Sequence, residues 1–359
     1  MLVHICCSVD SHFFLQKLKK IYPNEKLIGF FYDPNIHPYS EYRLRLLDVQ
    51  RSCDMLGVEL IEGEYNFRGW MEAVKGYENE PEKGKRCSIC FTDRVEESIK
   101  KAKELKQSKV TTTLLTSPKK SIKQLSEVGN KLARKYGIEF VSVDFRKNGG
   151  TQEQFALAKK DKLYHQDYCG CIYALRAQRE DQRKIPDELF VNLSGQLQPG
   201  SIQQKIKLYK KRIDLEKNNQ QYEITKNGFL NYRLLRSYFC IDKKVIPSYP
   251  IFYSYMKRKK AKLKIQTKIK EVYKANRENI SIVELSYFNE IMQTNYKNIK
   301  DMIYNPPTVE EEIEFRNMIT NTFYSLSPVI VVESIDFESF EIYLESIYYQ
   351  DVIENLVIF

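Results

Sequence analysis

A chain of 359 residues, 42% hydrophobic and 29% charged, can bury an ordinary core and has the length of two domains. No apolar run approaches the roughly 20 residues of a membrane-spanning helix. The opening MLVHICCSVD reads as a strand and not as a secretory leader, so a cytoplasmic protein with no membrane partner is expected. The net charge of +10 fits a polyanionic partner as readily as simple solubility.

In chain order, the apolar run LVHICC (2–7) predicts a first strand. HFFLQKLKKIY follows as a helix, with Ser11 as its N-cap. KLIGFFY (26–32) predicts a second strand, and residues 40–57 a helix capped by Ser40 and stopped by Gly57. Strands over 58–62, 108–116 and 138–145 alternate with helices over 90–106, 119–137 and 151–161. Strands separated by helices of this length need crossover connections, which predicts a parallel sheet covered on both faces. Ligands of such sheets bind beyond the carboxyl ends of the strands. That rim should gather Cys6 and Cys7, Asp33 to Asn35, Thr116 to Pro118, and Asp144.

The Pro- and Gly-bearing stretch 183–201 reads as a boundary. It divides a metal-binding α/β domain (1–185) from a smaller, basic, tyrosine-rich α+β domain (186–359). Basic helices are expected early in that second domain. MKRKKAKLKIQTKIK (256–270) carries eight Lys or Arg and no acid, and KIKLYKKR (205–212) adds five more. A solvated helix face is the plain reading of such runs, and contact with a nucleic-acid backbone is the sharper one.

Six of the eight cysteines form three close pairs: Cys6–Cys7, Cys87–Cys90 and Cys169–Cys171. In a reducing compartment such pairs point to metal ligands or redox catalysts. Thiolates are preferred ligands of zinc and of iron–sulfur clusters, and four protein ligands complete either site. Six thiols exceed one such site and fall short of two; Asp10 offers one ligand more. A cluster plus a second metal or a redox pair is expected, with a zinc staple as the plainer alternative. Cys53 and Cys240 lie inside apolar patterns and read as small buried hydrophobes. CCSVDSH has none of the glycines of a phosphate-cradling turn. Beside the thiols stand Tyr32, Asn35, Glu41, Tyr42, Arg45, Arg86 and Arg94, and then His165, Gln166, Asp167 and Tyr168. His165 and Asp167 can carry protons, and the arginines can hold phosphate or carboxylate.

HICCSVDS, FYDPNIHPYSEYRLR, RCSICFTDR, TTTLLTSPKKS and YHQDYCGCIYA together resemble the QueH-type epoxyqueuosine reductases over about residues 1–180. The resemblance implies a cytoplasmic enzyme with a HUP/Rossmann-like α/β fold. It implies a [4Fe–4S] cluster and an additional metal, for which mononuclear iron is the candidate. The activity implied is reduction of epoxyqueuosine to queuosine at the tRNA wobble position. Cys6, Cys7, Cys87, Cys90, Cys169 and Cys171 carry over as metal-binding candidates. Asp10 stands where many relatives have a third cysteine. Asp167, Tyr168, His165 and Arg45 are the catalytic candidates. The partners implied are tRNA and a low-potential donor such as ferredoxin or flavodoxin.

The expected division of ligands gives the cluster to Cys87, Cys90 and a first-turn thiol, with Asp10 as a possible fourth. Cys169 and Cys171 then hold a second metal or cycle as a dithiol. A cluster-dependent tRNA sulfur-transfer enzyme and a zinc-stapled RNA-binding module are the competing readings.

Overall fold

The first strand, β1, keeps only Leu2–Ile5 of its apolar run, every residue buried. It leads directly into α1 (Ser8–Ile21), for which Cys7, in extended conformation, is the N-cap. The helix thus begins before Ser11, whose hydroxyl donates instead to the Ser8 carbonyl. β2 (Ile28–Phe31) and α2 (Tyr39–Leu56) follow. Pro38, not Ser40, occupies the N-cap of α2. Gly57 closes α2 in the left-handed conformation that glycine adopts without strain, as expected. β3 (Glu59–Glu62), α3 (Phe67–Ala73) and α4 (Lys85–Glu104) come next. β4 (Lys109–Thr112) ends in a 3-10 turn, Thr113–Leu115. Then come α5 (Ile122–Tyr136), β5 (Glu139–Phe140), α6 (Gly150–Lys160), α7 (Ile172–Asp181) and α8 (Ile202–Lys217).

This computed structural model describes residues 1–118, 120–190, 194–322 and 325–359. One compact unit comprises Met1–Leu189, Lys205–Ile224 and Leu356–Phe359, and another Phe190–Gln204 and Thr225–Asn355. The division is therefore not one cut near residue 185, because most of α8 belongs with the first unit.

The first unit is built on the expected parallel sheet, in the order β3-β2-β1-β4-β5. The order reverses at β1, so a crevice opens beyond the carboxyl ends of β1 and β4. His4 lies under it, fully buried, between the Thr112 hydroxyl and the Tyr32 carbonyl. Burial pushes its imidazole down to about 4, so it stays neutral near neutral pH.

The second unit departs from the helices expected early in it. Its sheet has the order β7-β6-β13-β9-β10-β11-β12-β8. The strands are β6 (Tyr222–Ile241), β7 (Lys244–Ile246), β8 (Ser248–Pro250), β9 (Lys260–Ile269), β10 (Val272–Ala275), β11 (Ser281–Glu284), β12 (Val329–Val332) and β13 (Ser339–Ile358). The helices are α9 (Leu285–Met292), α10 (Ile299–Tyr304) and α11 (Val309–Thr320). β12 is apolar at every position because both its faces are covered. Val329 and Val331 join the core under α9–α11, while Ile330 and Val332 join Phe239, Leu263 and Phe340.

The basic run 256–270 is therefore largely β9 and not a helix. Its lysines alternate with Ala261, Leu263 and Ile265, a period of two that builds a strand with one buried face. Antiparallel β13 brings Glu341 opposite Lys262. Lys260 pairs with Glu341 at 2.9 Å, and Lys259 pairs with Glu345.

Glu312 of α11 is buried and accepts from the Tyr249 hydroxyl (2.7 Å), the Gln196 amide (2.7 Å) and the Phe252 N–H (2.6 Å). Burial outweighs these bonds and pushes its carboxyl up to about 7. The folded state thus holds this proton more tightly than the unfolded chain. Its contribution, about 3 kcal/mol at about 1.4 kcal/mol per pKa unit, is complete below about pH 4.5 and is lost as pH rises through about 7. Urea-unfolding midpoints between those pH values should fall more steeply in the wild type than in Glu312→Gln. An equal slope in both would remove Glu312 as the cause.

Candidate active site

The crevice beyond β1 and β4 is a cleft lined by residues that lie far apart in sequence. Cys6 comes from the β1–α1 turn, Asp10 from the first turn of α1, Asn35 from the loop after β2, Arg45 from α2, and Arg86, Cys87, Cys90 and Arg94 from α4. Ser117, Pro118 and Lys120 follow β4. His165, Gln166, Asp167, Tyr168, Cys169 and Cys171 precede α7. Asp144 is not brought here; it meets Arg146 and Lys147 instead.

Cys6, Cys7 and Asp10 stand with their ligand atoms within 4.8 Å of one another, all buried. The two sulfurs are 3.9 Å apart. Two thiolates at about 2.3 Å from one tetrahedral ion stand about 3.8 Å apart, so the pair fits a single ion. Cys6 and Cys7 can converge because Cys7 is already the cap of α1, beyond the strict alternation of the strand. The Asp10 carboxylate accepts from Gln154 Nε2 at 2.6 Å. Burial pushes this carboxyl up to about 6. A metal cation there would favour its ionised form. Three protein ligands leave a tetrahedral ion one open position, the pattern of catalytic sites.

Among the described residues no other three His, Cys, Asp or Glu side chains gather so closely. The remaining four thiols line the same cleft as two pairs, Cys87 with Cys90 and Cys169 with Cys171. Cys87 and Cys90 lie in the first turns of α4, where unpaired N–H groups and the helix dipole favour thiolate. The Lys83 N–H donates to Cys87 Sγ at 3.3 Å. Cys171 caps α7, and Gly170, at φ +100, lets Cys169 and Cys171 turn toward each other. The hydrogen bond from Cys171 holds the Cys169 thiol well below its usual range, with the Lys120 ammonium and Arg45 assisting. The same bond pushes the Cys171 thiol up. Cys90 is pushed up by burial, opposed by Arg94 and by the Trp70 indole.

One buried donor in the cleft, Arg86 Nε, has no hydrogen-bond partner, and Trp70 Nε1 faces only the Cys90 thiol. Buried donors are seldom left unpaired, so a bound acceptor is the fitting complement. The donor set thus comprises one close group of two thiols and a carboxylate, and four further thiols, the number of protein ligands a cluster takes. This grouping differs from the division expected from sequence, since Asp10 joins both first-turn thiols rather than Cys87 and Cys90.

The proton-carrying candidates differ in their surroundings. Asp167 pairs with Arg179 at 3.0 Å. Burial pushes its carboxyl up, but Lys205 and Arg179 outweigh this and hold it below the usual range. At neutral pH it is an anion and has no proton to give. The Tyr168 hydroxyl is buried and donates to the His37 carbonyl at 2.6 Å. His165 lines the cleft beside the Phe155 ring. Arg45 is held by Glu41 (2.7 Å) and donates to the carbonyls of Tyr168 (2.9 Å) and Cys169 (3.3 Å), so it shapes the Cys169 segment.

Lys120, Trp70 and Gln154 escaped the sequence reading. Trp70 is the only tryptophan of the chain, which was a usable signal. Lys120 and Gln154 had none, because their roles come from folding onto Cys169 and Asp10. Cys53 and Cys240 are buried and outside the cleft, as expected.

A family model described as Epoxyqueuosine reductase QueH matches residues 1–177. The chain is 36% identical over 372 aligned positions to the epoxyqueuosine reductase QueH of Helicobacter pylori, covering 99% of this chain and 100% of that one. It is 35% identical over 188 positions to the QueH of Thermotoga maritima, covering 52% of this chain and 95% of that one. With the QueH of Acinetobacter baylyi it shares 36% identity over 177 positions, covering 49% and 80%. A match of this identity over both full lengths, joined to the thiol-lined cleft, establishes the family: the chain belongs to the epoxyqueuosine reductases of the QueH type.

Proposed function

We propose that the protein reduces epoxyqueuosine to queuosine at the wobble position of tRNA. The observation that carries this beyond family membership is the convergence of five thiols and Asp10 on one cleft at the switch point of the sheet, with a sixth, Cys7, directly behind Cys6. Removing the epoxide oxygen as water takes two electrons and two protons and restores a carbon–carbon double bond. Cys87, Cys90, Cys169 and Cys171 would hold a cluster, which would supply electrons one at a time, and Cys6, Cys7 and Asp10 would hold an ion, which would supply Lewis acidity.

The protein's own residues do the rest. Lys120, Arg45 and Arg94 offset the negative charge of the thiolates. Tyr168 and Arg45 fix the Cys169 segment. Among the residues expected to carry protons, His165 lines the cleft and is the one suited to supply the leaving oxygen. The electrons come from a low-potential donor of the ferredoxin or flavodoxin type. Anaerobic purification tests the cofactor reading: a brown protein with more than four irons per chain supports it, and a colourless zinc protein would refute it.

The basic residues of the second unit contribute to tRNA binding through Lys257 and Arg258, which are exposed and precede β9. Each neutralised phosphate adds about 0.9 to the slope of log affinity against log salt. Reversing both to Glu should lower that slope by about 1–2. Reversing Lys259 and Lys260, already paired with Glu345 and Glu341, should change it less. Equal effects would show that these ion pairs do not matter.

A further inference from the structure

We propose that Arg212, on α8, is a positioning residue for both thiol-bearing segments of the cleft. It lies beyond the residues matched by the family model, in a segment whose basic character suggested only a surface contact. The proposal rests on the reductase reading for its kinetic readout but not for its spectroscopic one.

Arg212 is fully buried. Its Nη2 donates to Asp48 Oδ1 at 2.6 Å, its Nη1 donates to the Lys162 carbonyl at 2.7 Å, and its guanidinium lies 4.6 Å from the Tyr209 ring centre. Asp48, on α2, is also fully buried, and Arg212 is the cation that its carboxylate pairs with there. The other carboxylate oxygen of Asp48 accepts from two places. One is the hydroxyl of Ser8, the residue after Cys7 and the first of α1. The other is the backbone N–H of Tyr164, at 2.7 Å, where the segment leading to Cys169 and Cys171 begins.

A second branch reaches the same segment. The Tyr164 hydroxyl donates to Glu41 at 3.0 Å, and Glu41 holds the Arg45 that grips the Tyr168 and Cys169 carbonyls. The Tyr209 ring packs edge-on against Tyr164, 5.3 Å between centres. One ion pair therefore sets Ser8 beside the Cys6–Cys7–Asp10 triad and Tyr164 at the head of the Cys169–Cys171 loop. Without Arg212, Asp48 is a buried anion without its counter-ion. Its carboxylate is then no longer held in place, which loosens both bonds. Groups that orient metal ligands in this way typically affect metal affinity or activity about 10–100-fold.

The same helix supplies a control. Glu216, one turn on, pairs with Arg51 through both carboxylate oxygens at 2.7 Å and touches neither thiol segment. Full-length protein carrying Arg212→Met, Arg212→Lys, Asp48→Asn or Glu216→Gln would be reconstituted anaerobically with iron and sulfide. Absorbance, electron paramagnetic resonance, melting temperature, kcat and KM for epoxyqueuosine tRNA would be compared. Arg212→Met and Asp48→Asn should shift the cluster spectrum and lower kcat about 10–100-fold with KM within twofold. Arg212→Lys should recover part of both, and Glu216→Gln should lower only the melting temperature. If Arg212→Met fails to fold, Asp48→Asn carries the test alone. Wild-type spectrum and kcat in whichever of these two folds would overturn the proposal. A wild type that reduces no epoxyqueuosine would instead refute the functional reading, and the spectra would still decide the positioning role.

Discussion

Serine at Cys87, Cys90, Cys169 or Cys171 should abolish the iron–sulfur absorbance of the reconstituted protein and, with it, turnover. Serine at Cys6 or Cys7, or Asp10→Asn, should leave that absorbance in place while removing one iron per chain, and should also stop turnover. The reason is geometric. The first-turn thiols and Asp10 are gathered tightly enough for one ion. The other four line the same cleft and equal in number the protein ligands that a [4Fe–4S] cluster takes. Iron per chain, acid-labile sulfide and visible absorbance on each variant decide the matter. A Cys169→Ser, Cys171→Ser protein that keeps its cluster absorbance but loses activity would return that pair to the second-metal or dithiol role expected from sequence.

The second large effect is on stability. Asp33→Ala should lower the stability of the first unit by about 3–5 kcal/mol, the usual cost of leaving a buried charge without its partner. Arg94 Nη1 donates to Asp33 Oδ1 at 2.8 Å, and both side chains are almost wholly buried. Arg94 also donates to the Cys90 carbonyl, so its displacement would disturb α4 where that thiol sits. Adding Arg94→Met to Asp33→Ala should restore part of the loss, because the orphaned charge is then gone. Denaturant midpoints on the single and double variants measure both. A single-variant loss under about 1 kcal/mol would mean that the pair contributes little net stability.

How much of this could be read in the sequence depends on how local its causes are. The parallel sheet was legible because apolar runs such as LVHICC and IGFF alternate with capped, amphipathic helices. Gly57 and Gly137 marked helix ends because a left-handed residue there is a local requirement. The second unit was misread where charge masked periodicity. In KAKLKI the lysines drew attention to a helix face, although every second residue faces the sheet core. The capping of α1 was missed because Cys7, a poor capping residue, takes that position as the price of placing its thiol at the rim. Least legible were long-range ion pairs. Nothing near Arg212 marks it as the partner of Asp48, 164 residues away, and the charge run around it pointed to solvent. The grouping of Asp10 with both Cys6 and Cys7 departs from the expected division although it needs only one turn, and the place of the remaining thiols depends on how α4 and the segment before α7 meet.

The central claim is that this cleft removes the epoxide oxygen from a tRNA nucleoside. The most direct measurement incubates the anaerobically reconstituted protein with a low-potential reductant and epoxyqueuosine tRNA, without ATP, and analyses the digested nucleosides by mass spectrometry. The account predicts that epoxyqueuosine disappears as queuosine appears in equal amount, and that neither changes when the reductant is withheld. Epoxyqueuosine recovered unchanged from protein with its cluster verified, or a sulfur-bearing nucleoside in place of queuosine, would contradict it.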